Sequence, residues 1–139
     1  MTDTRKTAAD VPIGLCVYGV AYTAGFAGRG TPRANPRPLD AMGFLELAAK
    51  LGLSVIEIPF GYVHPQEDEG ALAAYMEEAR ERGLRVVSAG LAIETEPFRR
   101  HLGMCQRLGI TTVRCVLSSV LCGEIRADGQ DMKQPTRLR

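Results

Sequence analysis

Apolar positions along the chain change their spacing several times, and each change carries the same small signal. Phe44, Leu47, Ala48 and Leu51 recur at helical spacing, as do Leu72, Tyr75, Met76 and Ala79, and then Phe98, Leu102 and Cys105. Each stripe runs into a glycine followed by an apolar residue: Leu51-Gly52-Leu53, Arg82-Gly83-Leu84 and Leu108-Gly109-Ile110. Glycine accepts the left-handed backbone that ends a helix, and the apolar residue after it turns the chain inward. The pattern therefore predicts three helices with three glycine stops. Glu77, Glu78, Glu81 and Arg82 fill the water-facing side of the second. Thr95, ahead of Glu96-Pro97, is suited to cap the start of the third.

Between the helices lie short runs rich in Val and Ile: Ile13 to Tyr18, Ser54 to Phe60, Arg85 to Leu91 and Thr112 to Leu117. They are more continuous than alternating in hydrophobicity, as strands are when both faces of a parallel sheet are covered. From Gly52 to Gly83 is 31 residues and from Gly83 to Gly109 is 26, the size of one βαβ step. Right-handed crossovers would stack four parallel strands with three helices. The predicted class is α/β, specifically a partial (β/α)8 TIM barrel whose carboxyl-terminal half is absent.

After the fourth strand the repeat fails. Residues 124–139 are polar, carry Gly129 and Pro135 and hold no apolar helical stripe, so a poorly ordered tail is expected there. Residues 1–10 have too little apolar surface to offset the entropy of ordering and read as a second tail. The domain is then 11–123. A closed eight-stranded barrel takes about 250 residues, so this chain would supply the first half of one. Its outer strands would present open edges, which predicts self-association or a complementary half-barrel chain.

Seventeen basic and sixteen acidic side chains give a net charge of +1, which leaves no broad positive field for a phosphate backbone; nucleic acid is excluded as an expected partner. No signal-peptide layout or bilayer-length apolar run is present in the sequence, so membrane partners are not expected and a cytoplasmic location is. Cys16, Cys105, Cys115 and Cys122 lie in apolar stretches without a CxxC pair, and read as buried thiols in a reducing compartment.

In parallel β/α folds chemistry gathers at the carboxyl ends of the strands, where loops vary over a rigid sheet. That rule selects Tyr18 to Tyr22, Glu57 to His64, Ser88 to Glu94 and Arg114 to Ser119. Glu57 stands inside Val55-Ile56-Glu57-Ile58-Pro59-Phe60, where an unpaired charge is expensive to bury. It needs either a basic partner, for which Arg114 on the fourth strand is placed, or a ligand whose hydroxyls it can bind. His64 follows in a loop beside Phe60 and Tyr62, a setting in which an aromatic face could stack on a sugar ring. His101, among Arg99, Arg100 and Gln106, reads as a surface residue. Gly25 to Pro38 reads as a long mobile lid rather than a phosphate loop, since neither the GxGxxG nor the GxxxxGK[ST] spacing occurs. Ser88 and Ser118-Ser119 read as ordinary strand-end hydroxyls.

Ile13-Gly14-Leu15, Leu51-Gly52-Leu53-Ser54-Val55-Ile56-Glu57-Ile58, Gly83-Leu84-Arg85-Val86-Val87-Ser88 and Leu108-Gly109-Ile110-Thr111-Thr112-Val113-Arg114 together resemble a known pattern. From Ile13 to Gly123 the chain resembles the amino-terminal half of the sugar phosphate isomerase/epimerase family, the xylose isomerase-like TIM barrels. The resemblance implies aldose-ketose isomerisation or epimerisation of a sugar or polyol, with a divalent metal (Mn, Mg or Zn) polarising substrate oxygens in the intact family. The family's metal ligands fall on later strands, so no cofactor is expected in this chain itself. Glu57 matches the second-strand glutamate, in a substrate-facing role; Tyr18 and His64 are implied as substrate-binding by location. The alternative is a small flavodoxin-like α/β domain that binds a ligand without catalysis.

Overall fold

The computed structural model describes residues 12–93 and 95–116; the expected tails, Cys122 and Ser118-Ser119 lie outside the described residues. Within them the three glycine doublets adopt one geometry. Gly52, Gly83 and Gly109 have φ of 67, 70 and 71°, the left-handed region that glycine enters without a Cβ clash. The amide after each glycine donates back over the helix end, Leu53 to Ala48 O at 3.1 Å, Leu84 to Ala79 O at 2.9 Å and Ile110 to Cys105 O at 2.8 Å. The glycine amides close the inner ring, to Ala49, Arg80 and Gln106. This is the Schellman pattern three times over, and the apolar residue that follows it packs into the core.

The elements run β1 (Gly14–Cys16), a 3-10 turn (Val17–Val20), α1 (Ala41–Lys50), β2 (Val55–Ile58), α2 (Phe60–Val63), α3 (Glu69–Glu81), β3 (Arg85–Ala92), α4 (Thr95–Arg107) and β4 (Val113–Val116). The four strands and the three longer helices are those expected from the sequence. Asp40 caps α1 by accepting from Gly43 N at 2.7 Å, and Asp68 caps α3 by accepting from Ala71 N at 2.8 Å. The additional helix, α2, takes Phe60 from the end of the expected second strand. Pro59 is the cause: it has no N–H for the ladder and its fixed φ starts a helical turn. The first strand likewise ends at Cys16, and the chain turns sharply through Val17–Val20 before Tyr18 can continue it.

All strand pairs are parallel and the order is β1-β2-β3-β4. A flavodoxin-like sheet places its first strand inside, where the winding reverses; here β1 stands at an edge of the described sheet, so the described strands hold no such switch point. Right-handed crossovers in a consecutive order put every helix on one face. The burial pattern agrees: Ile56, Ile58, Val86 and Ser88 are covered, whereas their neighbours Val55, Glu57 and Val87 are only partly so. The core between sheet and helices is built on Phe44, Leu45, Ile56, Ile58 and Leu72, each contributing about 2 kcal/mol by removal from water. In α1 the buried stripe is Ala41, Phe44, Leu45 and Ala48, and Leu51 is exposed because the helix has already ended. Among the described residues no helix is long and apolar enough to cross a membrane.

Candidate functional site

Strand parity divides the sheet. Ile58, Ser88 and Val113 share one register row and face the helices; Cys16, Glu57 and Val87 share the next and face the open side. A shallow groove of about 210 Å³ follows that open face, lined by Gly14, Leu15, Cys16, Val55, Glu57 and Val87. Glu57 lies at its carboxyl-terminal end. Arg114 on β4 reaches it across β3, its Nε donating to Glu57 Oε1. The pair meets the demand that an acid within an apolar strand be partnered. With Glu57 20% and Arg114 44% exposed at the side chain, its net contribution is about 1 kcal/mol.

Tyr18 completes the cluster. The turn that follows β1 swings its ring over the open face, where the Arg114 guanidinium carbon stands 5.7 Å from the ring centroid. Partial burial pushes the phenol above its ordinary pKa; Arg114 opposes that shift, and Cys16 and Glu57 reinforce it. The guanidinium is itself pushed up, first by its hydrogen bond to Glu57. A carboxylate, a guanidinium and an aromatic face thus converge at the carboxyl ends of β1, β2 and β4.

From Tyr18 an aromatic ladder leads under the long loop. Tyr18 and Phe26 have ring centroids 5.3 Å apart, Phe26 and Tyr62 also 5.3 Å, and Tyr62 meets Phe44 edge-on at 6.2 Å. Beside the ladder is a recess of about 490 Å³, walled by Phe26, Arg29, Asn35, Pro38, Leu39 and Tyr62 among others. The loop above it is pinned rather than loose. The Tyr62 hydroxyl donates to Leu39 O at 2.6 Å, and Asn35 Nδ2 donates to Tyr22 O at 3.1 Å. The amides of Ala24, Gly25, Phe26, Ala27, Thr31 and Ala34 all bond to carbonyls within residues 20–31. These six amides are already satisfied within the loop, and Gly25, Gly28 and Gly30 take the left-handed φ of 78, 72 and 76° that its turns require.

His64 caps the carboxyl end of α2, half-buried, with its Nδ1 buried and unpartnered. No hydrogen bond, ion pair or ring contact among the described residues joins it to Tyr18 or Glu57, so the structure brings two of the three expected substrate contacts together and leaves the third apart. Phe60, expected beside His64 as a stacking face, is buried and stacks instead on His101 at 4.7 Å.

His101 is the chief correction to the sequence reading. It is 3% exposed, not a surface residue, and its Nε2 lies 2.8 Å from Ser88 Oγ, itself fully buried. The inward stripe of α4 holds His101, Met104 and Cys105 and continues to Leu108 just past the helix end, while Leu102 is 42% exposed. An apolar count favours Leu102 and so rotates the predicted stripe by one residue; the regular three- and four-residue spacing through His101 was the available signal. Of the cysteines, Cys105 is buried as expected, Cys16 half-buried and Cys115 exposed, because β4 has no described helix over Cys115.

The described residues do not fit a divalent metal. Among the described residues no three His, Cys, Asp or Glu side chains converge, and the carboxylate on the open face is held by a guanidinium. Comparison with protein-family profiles, curated proteins and solved structures finds no match.

Proposed function

We propose that the chain forms an arc of a (β/α)8 barrel and binds a sugar or polyol on the open face at Tyr18, Glu57 and Arg114, in the manner of the sugar phosphate isomerase/epimerase family it resembles. The observation that carries this reading is the convergence of those three side chains at the carboxyl ends of consecutive-order parallel strands. A polyol offers vicinal hydroxyls and an apolar C–H face. Glu57 accepts from the hydroxyls, Arg114 donates to ring or carbonyl oxygens, and Tyr18 supports the C–H face. The arc reading rests on the consecutive strand order and on helices confined to one face.

Isomerisation moves a proton between adjacent carbons and needs a base beside the substrate. In this reading Glu57 and Arg114 supply binding and orientation, proton transfer belongs to groups of a completed ring, and the open sheet edges favour self-association. Concentration-dependent association in light scattering is the expected behaviour.

The test is a titration of the isotopically labelled chain with a panel of aldoses, ketoses and their phosphates, read by NMR shifts. Saturable shifts centred on Tyr18, Glu57 and Arg114, lost in Glu57→Gln, support the reading. Shifts elsewhere, or none with any polyol, overturn it.

A further inference from the structure

Ser88, His101 and Cys105 form a buried polar line between β3 and α4 that the open-face site does not use. Nε2 of His101 meets Ser88 Oγ at 2.8 Å, and Nδ1 is buried with no partner. An imidazole N–H donating from Nε2 leaves only a lone pair at Nδ1, whereas the other tautomer buries an unmet N–H, the costlier orphan. The Ser88 hydroxyl proton is then free to turn toward the Cys105 thiol, whose pKa burial pushes up and Ser88 draws back in part. Phe60 from α2 stacks on the ring at 4.7 Å and helps keep water out.

Adding a proton breaks this arrangement at one atom. The imidazolium would carry an N–H at Nδ1, buried and facing no acceptor among the described residues, together with a charge in an apolar site. The groups facing the ring are few. Among the described residues β3 presents Ser88, α2 presents Phe60, α4 itself presents the Cys105 thiol, and the α2–α3 loop presents the charge that acts on the ring, Glu67. Glu67 is held at φ 51°, the single non-glycine residue at positive φ among the described residues. Glu69, on the adjoining α3, is committed to Arg107 at 2.9 Å.

We propose that His101 is an acid-operated latch: neutral, it closes α4 onto β3 through Ser88; protonated, it leaves this pocket toward Glu67 and frees α4. Burial pushes its pKa below the ordinary imidazole value, and Glu67 opposes that only in part. The sign follows from the folded state binding the proton less well than the unfolded state. The latch holds fully above the unfolded pKa of about 6.5 and weakens as pH falls below it, by at most about tenfold in the opening equilibrium per pH unit. Because Phe60 begins the helix directly after β2, opening also loosens the wall behind the carboxyl end of that strand.

The experiment is hydrogen exchange on the full chain between pH 7.5 and 5.5, corrected for intrinsic rates, beside an NMR titration of the two histidine rings. Protection of α4 amides is expected to fall up to about tenfold per pH unit below about 6.5 while α1 keeps its protection. In His101→Gln, which keeps a donor for Ser88 and cannot ionise, α4 protection should become flat over this range. Equal loss in α1 and α4, persistence of the slope in His101→Gln, or a His101 ring titrating at or above 6.5 in the closed state would each overturn the latch. Should His101→Gln fail to fold, the ring titration of the unaltered chain decides alone.

Discussion

Arg114 on β4 pairs with Glu57 on β2 across the intervening strand, so one ion pair ties together strands that are not neighbours. Arg114 is in register with Ala89, and Glu57 with Val87. The bridge therefore crosses β3 on the diagonal, beside a residue small enough to let it pass. Its coupling is expected to be about 1 kcal/mol, since both groups keep some water. A double-mutant cycle on Glu57→Gln and Arg114→Met, followed by urea unfolding, measures it. Independent effects of the two substitutions would show that the pair contributes nothing to holding β4.

Gly90 and Gly52 separate two reasons for glycine. At Gly90 an added Cβ would collide with the Arg114 carbonyl, lying 2.9 Å from its carbon and 3.2 Å from Cys115 Cα. Backbone atoms cannot swing aside, so Gly90→Ala should push β4 away and destabilise by about 3 kcal/mol. At Gly52 an added Cβ meets nothing within 4 Å, and only its φ of 67° is unfavourable. Gly52→Ala should cost about 1 kcal/mol. The order of the two unfolding midpoints is the check; Gly52→Ala being the more harmful would refute the account.

Tyr62 anchors the long loop through its hydroxyl, whose one proton is shared between Leu39 O at 2.6 Å and the more distant Asp40 O at 3.0 Å. Burial, then the nearby Asp40, pushes its pKa up to about 12. A phenol whose folded pKa is raised stabilises the fold below the unfolded pKa of about 10, and that contribution is lost as pH rises from 10 toward the folded value. Tyr62→Phe should therefore lower stability by about 1 kcal/mol at neutral pH and remove one late step from the ultraviolet phenolate titration. An unchanged titration curve would assign the late step elsewhere.

Local signals in the sequence were the most legible. Each glycine doublet contains its own explanation, a left-handed residue and a core residue side by side, and all three became helix ends. Glu57 was legible as a residue in need, because charge inside an apolar strand demands a partner, and Arg114 supplied it. Strand ends were less so: Pro59 converts an apolar run into a helical turn, a backbone effect that hydrophobicity does not register. His101 was hidden for a different reason. Its burial depends on Ser88, thirteen residues earlier on another element, and a polar residue counts against the core until that partner is known. The contact of Arg114 with Tyr18 was hidden likewise, since it requires strands one and four to be brought round onto one face.

Tyr18 distinguishes a residue kept for binding from one kept for folding. The residue is 46% exposed, and its ring meets Phe26 on one side and the Arg114 guanidinium on the other. An exposed cation–π contact is worth about 0.5 to 1 kcal/mol, so Tyr18→Ala should shift the urea midpoint only slightly. The same change removes the aromatic face on which the proposed polyol rests, so polyol binding should fall by about tenfold, the loss of roughly 1.4 kcal/mol of contact. Tyr18→Phe keeps the face and should keep most of the affinity. Paired measurements of unfolding and of NMR-monitored titration test both halves at once. A large loss of stability in Tyr18→Ala would make the ring structural, and equal polyol affinity in Tyr18→Ala and the unaltered chain would remove it from the site.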